Sequence, residues 1–233
     1  MREQETPRQL PLDLGHATGH SRDDLVVSAA NSQAIALIDG WPNWPTPMVV
    51  LAGPAGCGKS HLAAIWRGVS GASLLKPSGI DKHVETSGMA LPVVIDNADD
   101  PHLDQEGLFH LINAVRASGS NLLLTARRFP AAWGVTLPDL ASRLKAATTV
   151  EIGEPDDLLL AGVITKLFAD RQIEVDPSVV QFLVRRIERS LSTAIRVVER
   201  LDRAALERKS RITRALAAET IDAIDQGQAQ FDI

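Results

Sequence analysis

The sequence predicts an α/β protein in which a domain built on a five-stranded parallel sheet is followed by a small all-α domain. Two observations support this class. Five short apolar runs alternate with helix-like segments up to residue 152, which is typical of parallel strands joined by crossover helices. After Pro155 the strand-like runs stop, and apolar residues recur at helical spacing.

Three regions follow from this pattern. Residues 1–23 are polar and lack periodicity, so we expect a flexible tail; residues 24–153 form the domain with the sheet, and residues 154–233 form the helical domain. The predicted strands are 48–52, 72–75, 91–96, 121–125 and 148–152. The predicted helices are 24–39, 61–66, 103–117, 137–144, 156–171, one starting at Pro177, 192–209 and 213–224.

Composition excludes several classes of protein. The chain has 233 residues, of which 45% are apolar and 23% charged, an ordinary globular balance. Cys57 is the single cysteine, so no intrachain disulfide can form, and the N-terminus is too polar for a signal peptide. No apolar run approaches the roughly 20 residues of a membrane-spanning helix. We therefore expect a cytoplasmic protein without a membrane segment.

A phosphate-binding loop is the clearest motif. It fits the pattern G-x-x-x-x-G-K-[ST], follows a buried strand and precedes a helix. Backbone N–H groups would cradle a phosphate chain, while Lys59 neutralises phosphate oxygens and Ser60 ligates Mg²⁺. The alternative is a glycine-rich turn that binds nothing. The residues of this candidate site are Gly53, Pro54, Ala55, Gly56, Cys57, Gly58, Lys59 and Ser60.

Asp96 ends the third predicted strand, and we expect it to hold Mg²⁺ through water from the end of a strand neighbouring the phosphate loop. The alternative is a cap for the following helix. Asn97 comes next, where related ATPases place an acidic residue that activates water. An amide cannot accept that proton, and Asp99 and Asp100 are out of register. Hydrolysis within this chain should therefore be weak or absent.

The tail contains a short peptide with alternating leucines. An extended backbone would place these leucines on one side, which fits either an edge strand docked on the protein's own core or a ligand for a pocket on a partner. In the second case Gln9 would hydrogen-bond the rim of the pocket. The residues of this candidate site are Gln9, Leu10, Leu12 and Leu14.

Over residues 22–226 the chain resembles the DnaA/Hda family of AAA+ proteins. The matching segments are 53–62, which includes His61 after the loop, 93–97, 137–144 and Arg196. The resemblance implies binding of ADP or ATP with Mg²⁺ by the loop, His61, Asp96 and Arg196, the last as second sensor. It also implies that Arg143 is an arginine finger acting in trans on the DnaA initiator, and that the tail peptide binds the DNA polymerase III sliding clamp.

Two departures from the family limit what the resemblance implies. Arg127 stands where the first sensor usually has an aspartate, so nucleotide sensing at that position is in doubt. The sequence after the helical domain leaves no room for the initiator's DNA-binding domain, so specific DNA binding is not expected. Ten basic and four acidic residues lie between 185 and 214, which indicates either a solvated face or contact with an anion.

Three functions fit these features. The first is a clamp-tethered regulator of the initiator. The second is a DnaC-like helicase-loading ATPase, which shares the loop and the helical domain but would use its N-terminus to bind a helicase, so the leucine peptide discriminates between the two. The third is a small-molecule kinase, which would need an acceptor cleft and a short arginine-rich lid. The sequence leaves the preferred nucleotide and a possible homodimer undecided.

Overall fold

The core is a five-stranded sheet, seen in a computed structural model that describes residue 22, residues 25–81 and residues 92–229. All strand pairs are parallel, and the strand order is β2-β3-β4-β1-β5. The five parallel strands predicted from the sequence are therefore confirmed. Their bounds are β1 (Met48–Ala52), β2 (Ser73–Leu75), β3 (Val93–Ile95), β4 (Leu122–Ala126) and β5 (Thr148–Glu151).

Helices cover both faces of this sheet. Alternate residues of β1 point to opposite faces, so Val50 lies in one apolar core and Val49 and Leu51 lie in the other. Helices α3 and α4 complete the first core, and helices α1 and α2 complete the second. Their bounds are α1 (Ser32–Asp39), α2 (Lys59–Ser70), α3 (Gln105–Ser118) and α4 (Pro138–Lys145).

Helix α1 is shorter than the sequence suggested, because it begins at Ser32 and not near residue 24. Ahead of it the side chains of two residues bond to the backbone. Asn31 Oδ1 accepts from Ser28 N at 2.8 Å, and Ser28 Oγ accepts from Ala30 N at 3.1 Å. Such local bonds offer the backbone an alternative to helical hydrogen bonding. The apolar periodicity was therefore correct, but these turns delay the start of the helix.

The tryptophans after α1 pack against the core, as the sequence indicated. The Trp44 ring stacks on Trp66 with centroids 4.9 Å apart, and Trp41 meets Trp66 edge-on at 6.3 Å. Trp41 Nε1 also donates to Asn121 Oδ1 at 3.1 Å, just before β4. These contacts fix the proline-rich connector against the edge of the sheet where the strands begin, which we call the amino edge.

The C-terminal domain consists of helices and has its own apolar core; we call it the lid. Each of its first three helices begins at a side-chain cap: Asp156, Asp176 and Ser190 accept hydrogen bonds from backbone N–H groups of the first turn. Proline follows Asp176 at the first helical position, as predicted. The lid helices are α5 (Asp157–Asp170), α6 (Pro177–Arg186), α7 (Leu191–Arg208) and α8 (Arg214–Ala229).

The segment before α1 joins the sheet domain to the lid. Gly153 N donates to Ala30 O at 3.0 Å, and Val26 packs so closely on Gly162 of α5 that an added Cβ would lie 2.7 Å from Val26 Cγ1. Hydrogen bonding, chiefly from Leu159 N, lowers the pKa of Asp156, although its partial burial acts in the opposite direction.

Within the described ranges, no helix combines the length and apolar character that crossing a membrane requires.

Candidate functional site

The phosphate loop lies where β1 ends, at the edge of the sheet that we call the carboxyl edge. Gly53 and Gly56 have φ angles of 157° and 72°, so the backbone turns through conformations that L side chains rarely adopt. Helix α2 starts at Lys59, immediately after the loop. The strand, loop and helix required by the motif are therefore present, and the positive end of the α2 dipole faces the loop.

Lys59 lies inside the loop. Its side chain is only 6% exposed, and Nζ donates to the carbonyl oxygens of Gly53 at 2.8 Å and Pro54 at 2.7 Å. The same ammonium group lies 3.7 Å from Cys57 Sγ. Because an ammonium has three donors, it can exchange one carbonyl for a phosphate oxygen without leaving the loop. The loop thus holds a desolvated positive charge at the point where the motif predicts phosphate.

Asp96 lies beside the loop. Ser60 Oγ lies 3.0 Å from each carboxylate oxygen of Asp96. These hard oxygen atoms suit Mg²⁺, which usually completes its coordination with water and phosphate oxygens. The described residues contain no cluster of three His, Cys, Asp or Glu side chains that could bind a metal unaided. The donor set therefore fits magnesium held together with a nucleotide.

The expectation that Asp96 follows a strand adjacent to the loop strand was wrong in one respect. Strand β4 lies between β1 and β3, so Asp96 is two strands away from the loop. Parallel strands all end at the same edge, and the loop and α2 extend over β4 toward β3. The carboxylate therefore still reaches Ser60.

Thr125 positions Asp96, and the sequence analysis missed it. Its hydroxyl donates to Asp96 Oδ1 and accepts from Asn97 N at 3.0 Å, while its side chain is fully buried in β4. A hydroxyl in an otherwise apolar strand was the available signal, since a buried polar group needs a partner. The intervening strand thus supplies the contact that orients the carboxylate.

Asn97 is exposed and has a left-handed backbone with φ of 57°. The nearby carboxylates have other partners. Asp99 is 9% exposed and lies 3.6 Å from Arg128 Nε, while Asp100 bonds to His102. Hydrogen bonds from His102 lower the pKa of Asp100. Asp99 and Asp100 therefore each have a polar partner of their own.

The lid contacts the loop through a second group of residues that the sequence analysis missed. Leu191 N donates to Gly56 O at 2.8 Å, and an added Cβ at Gly56 would overlap the Ser190 hydroxyl. Arg196, the expected second sensor, is exposed and donates to Thr193 Oγ1 at 3.2 Å. It lies one turn beyond Ser192, on the same side of α7. Leu191 and the two serines, Ser190 and Ser192, are therefore the lid residues nearest to the loop, and Arg196 lies farther along α7.

Two of the remaining predicted residues follow the loop and β4 directly, and the others lie outside the described residues. His61 is the third residue of α2 and is partly exposed, and Arg127 is exposed just after β4. The tail residues Gln9, Leu10, Leu12 and Leu14 lie outside the described residues.

Arg143 lies near the amino edge, opposite the loop. It lines a small groove with Met48 and Leu122, the first residues of β1 and β4. Its guanidinium sits 4.7 Å from the centroid of the Phe109 ring, a cation–π contact. The Phe109 ring, and not the Asp139 carboxylate one turn earlier on α4, is thus the partner of this arginine.

Comparison with known proteins agrees with this architecture. The model of the Hda lid domain family matches residues 163–220. Domain III of the Thermotoga maritima replication initiation protein DnaA superposes with a TM-score of 0.74 at 16% identity, covering 94% of this chain and 98% of that one. AMPPCP-bound DnaA from Aquifex aeolicus gives a TM-score of 0.62 at 17% identity, covering 80% and 65%.

A curated relative from Haemophilus influenzae, described as an uncharacterized protein, is 31% identical over 107 residues. This chain spans about half the length of that protein, since the match covers 46% of each. The chain accordingly has the fold of DnaA domain III, and its residues 163–220 match the Hda lid domain family.

Thr125→Val should lower the free energy of unfolding by about 1–3 kcal/mol, because valine has the same shape but leaves Asn97 N–H and Asp96 without their buried partner. Thr125→Ser keeps the hydroxyl and serves as the control. Urea unfolding followed by tryptophan fluorescence measures both variants. Loss of stability in the serine variant alone, with a valine variant as stable as the parent, would show that the methyl group, and not the hydroxyl, carries the effect.

Proposed function

We propose that this protein is a nucleotide-binding AAA+ regulator of replication initiation that binds the sliding clamp and stimulates ATP hydrolysis by the DnaA initiator. The observation that carries the proposal is that the phosphate loop and the candidate arginine finger lie at different edges of the sheet. The phosphate loop lies at the carboxyl edge of the sheet, whereas Arg143 lies near the amino edge. Such a chain is suited to giving an arginine to another protein's nucleotide.

Binding of an adenine nucleotide, ADP or ATP, is supported by the loop geometry. Lys59 offers a buried positive charge, and Ser60 with Asp96 offers oxygen ligands that would hold Mg²⁺. The structurally similar Aquifex aeolicus DnaA binds AMPPCP, an ATP analogue. When bound, Mg²⁺ would neutralise charge on the phosphates; the protein orients it through Thr125 and Asp96.

Turnover of that nucleotide by this chain should be slow. The attacking water needs a proton acceptor, and Asn97 has none to offer. Asp99 is held near Arg128 and is buried, so it does not substitute. The nucleotide therefore acts as a structural ligand that sets the relation of the lid to the sheet domain.

Arg143 is the residue that would act on a partner. The first and last Cα atoms of β1 are roughly 13 Å apart, which exceeds the reach of an arginine side chain from one edge to the other. The Arg143 side chain is partly exposed on α4. Its contact with the Phe109 ring restricts the positions that the guanidinium can take. A preorganised guanidinium stabilises the charge that develops on a transferring phosphoryl group.

The tail would supply localisation. Arg22 is anchored to Asp39 at 2.7 Å, and several residues separate it from the leucine peptide. The peptide can therefore bind a clamp while the AAA+ domain stays free to meet the initiator. Because clamps are loaded on DNA during replication, this tether would limit stimulation of the initiator to the period after replication has begun.

The first test concerns the nucleotide site. Lys59→Ala should abolish ADP and ATP binding in calorimetry, because it removes the one buried cation of the loop. Lys76→Ala, an exposed lysine after β2, is the matched control and should bind like the parent. The parent should hydrolyse ATP well below about 1 s⁻¹. Turnover at or above that rate would contradict the role assigned to Asn97.

A second test concerns the arginine finger. Arg143→Ala should leave ADP binding and thermal unfolding close to those of the parent, yet lower stimulation of initiator hydrolysis by about 10³-fold or to the unstimulated level. Arg116→Ala changes a neighbouring arginine in the same groove and is the control. Parent-like stimulation by the Arg143 variant would place the finger elsewhere.

The third test concerns the tail. Replacing Leu12 and Leu14 by Ala should abolish clamp binding, since each buried leucine contributes about 1.5–3 kcal/mol and a short peptide has micromolar affinity at best. Arg8→Ala, just outside the peptide, is the control. Surface plasmon resonance on immobilised clamp measures both. Unchanged binding by the double variant would favour a strand docked on the protein itself.

A further inference from the structure

The lid holds the phosphate loop by its backbone. Leu191 is the first residue of α7, and its N–H donates to Gly56 O at 2.8 Å. The first four N–H groups of a helix have no acceptor within the helix, so this donor is available for an outside partner. The carbonyl that it binds belongs to the middle of the phosphate loop.

This bond fixes the direction of an amide that faces the phosphate site. A trans peptide is planar, with its C=O and N–H on opposite sides. When Gly56 O points toward the lid, the trans geometry turns Cys57 N–H to the opposite side, and the G-x-x-x-x-G-K-[ST] pattern assigns this amide to the phosphate cradle. Consecutive amides on that side are the groups that cradle a phosphate. The lid therefore orients one of them.

The contact is rigid on the lid side. Ser190 is 6% exposed, caps Thr193 N at 3.3 Å, and lies 2.8 Å from Ser192 Oγ. Before it, Arg189 donates to Pro155 O at 3.2 Å and pairs with Asp157 at 2.8 Å, where α5 begins. The start of α7 is thus tied to the start of the lid.

The contact is also tight on the loop side. An added Cβ at Gly56 would overlap Ser190 Oγ and lie 2.9 Å from Ser192 Oγ, and one at Gly58 would lie 3.3 Å from Leu191 Cδ1. Glycine at these positions lets the lid approach the loop backbone itself. A lid movement of about 1 Å would therefore stretch the 2.8 Å bond beyond hydrogen-bonding distance or reorient the peptide.

We propose that the backbone N–H of Leu191 is a positioning group for the phosphate site, so that separation of the lid from the loop speeds the release of nucleotide. The proposal rests on the nucleotide binding proposed above. In this proposal the lid helps to hold phosphate by positioning the backbone of the loop. No side chain of the lid needs to contact the nucleotide for this effect.

Leu191→Pro tests this group alone. Proline lacks the N–H but is well tolerated at the first position of a helix. Ser190, with φ of −143° and ψ of 126°, already has the extended backbone that a residue before proline requires. Leu191→Ala is the matched control, because it keeps the N–H and removes the contact with Gly58.

The readout is the rate at which a fluorescent N-methylanthraniloyl ADP leaves the protein after excess ADP is added. Leu191→Pro should release it about two- to tenfold faster than the parent, and Leu191→Ala should stay near the parent rate. Parent-like release by the proline variant would overturn the proposal. Equal acceleration by both variants would also overturn it, in favour of side-chain packing.

A measurement on the unmodified protein covers the case in which the proline variant fails to fold. The Leu191 amide should exchange with solvent deuterium several-fold more slowly when ADP is present, because Gly56 O is its acceptor and bound phosphate orders the loop. Unchanged exchange while ADP binds would overturn the proposal. Absence of ADP binding by the parent would instead overturn the nucleotide-binding function on which it rests.

Discussion

The backbone of the phosphate loop is the constraint on which the rest of the structure depends. A Cβ at Gly53 would overlap Ile152 O, where β5 leads into the lid, and a Cβ at Gly56 would overlap Ser190 in the lid itself. Both positions also have φ angles that favour glycine. The connection to the lid and the lid itself can approach the loop this closely because Gly53 and Gly56 carry no side chain.

Because all strands run in the same direction, the candidate site residues are divided between two edges of the sheet. Parallel strands end together, so the loop after β1, Asp96 after β3 and the residues after β4 gather at the carboxyl edge. Helix α4 runs back before β5 and carries Arg143 to the opposite edge. This separation supports the proposal that the chain would hold its own nucleotide at one edge and offer Arg143 at the other.

Much of the fold could be predicted from the sequence because it depends on local patterns. Four of the five strands are short, mainly apolar runs, and Asp176 followed by Pro177 marks the start of α6. The helix predicted over 137–144 corresponds to α4, which buries Leu140 and Leu144, one turn apart. The start of α1 was missed because the side chains of Ser28 and Asn31 bond to the backbone and override the apolar periodicity ahead of it.

The sequence by itself determined the phosphate loop, the carboxylate at Asp96 and the absence of an acidic residue at 97, since each of these is a residue type at a fixed spacing. Only the tertiary structure decided that β4 lies between the loop strand and β3, that Thr125 orients Asp96, and that Leu191 bonds to Gly56. The last pair lies more than a hundred residues apart. Periodicity reports which side of an element is buried, but strand order and lid docking are set by packing between distant elements, on which local spacing carries no information.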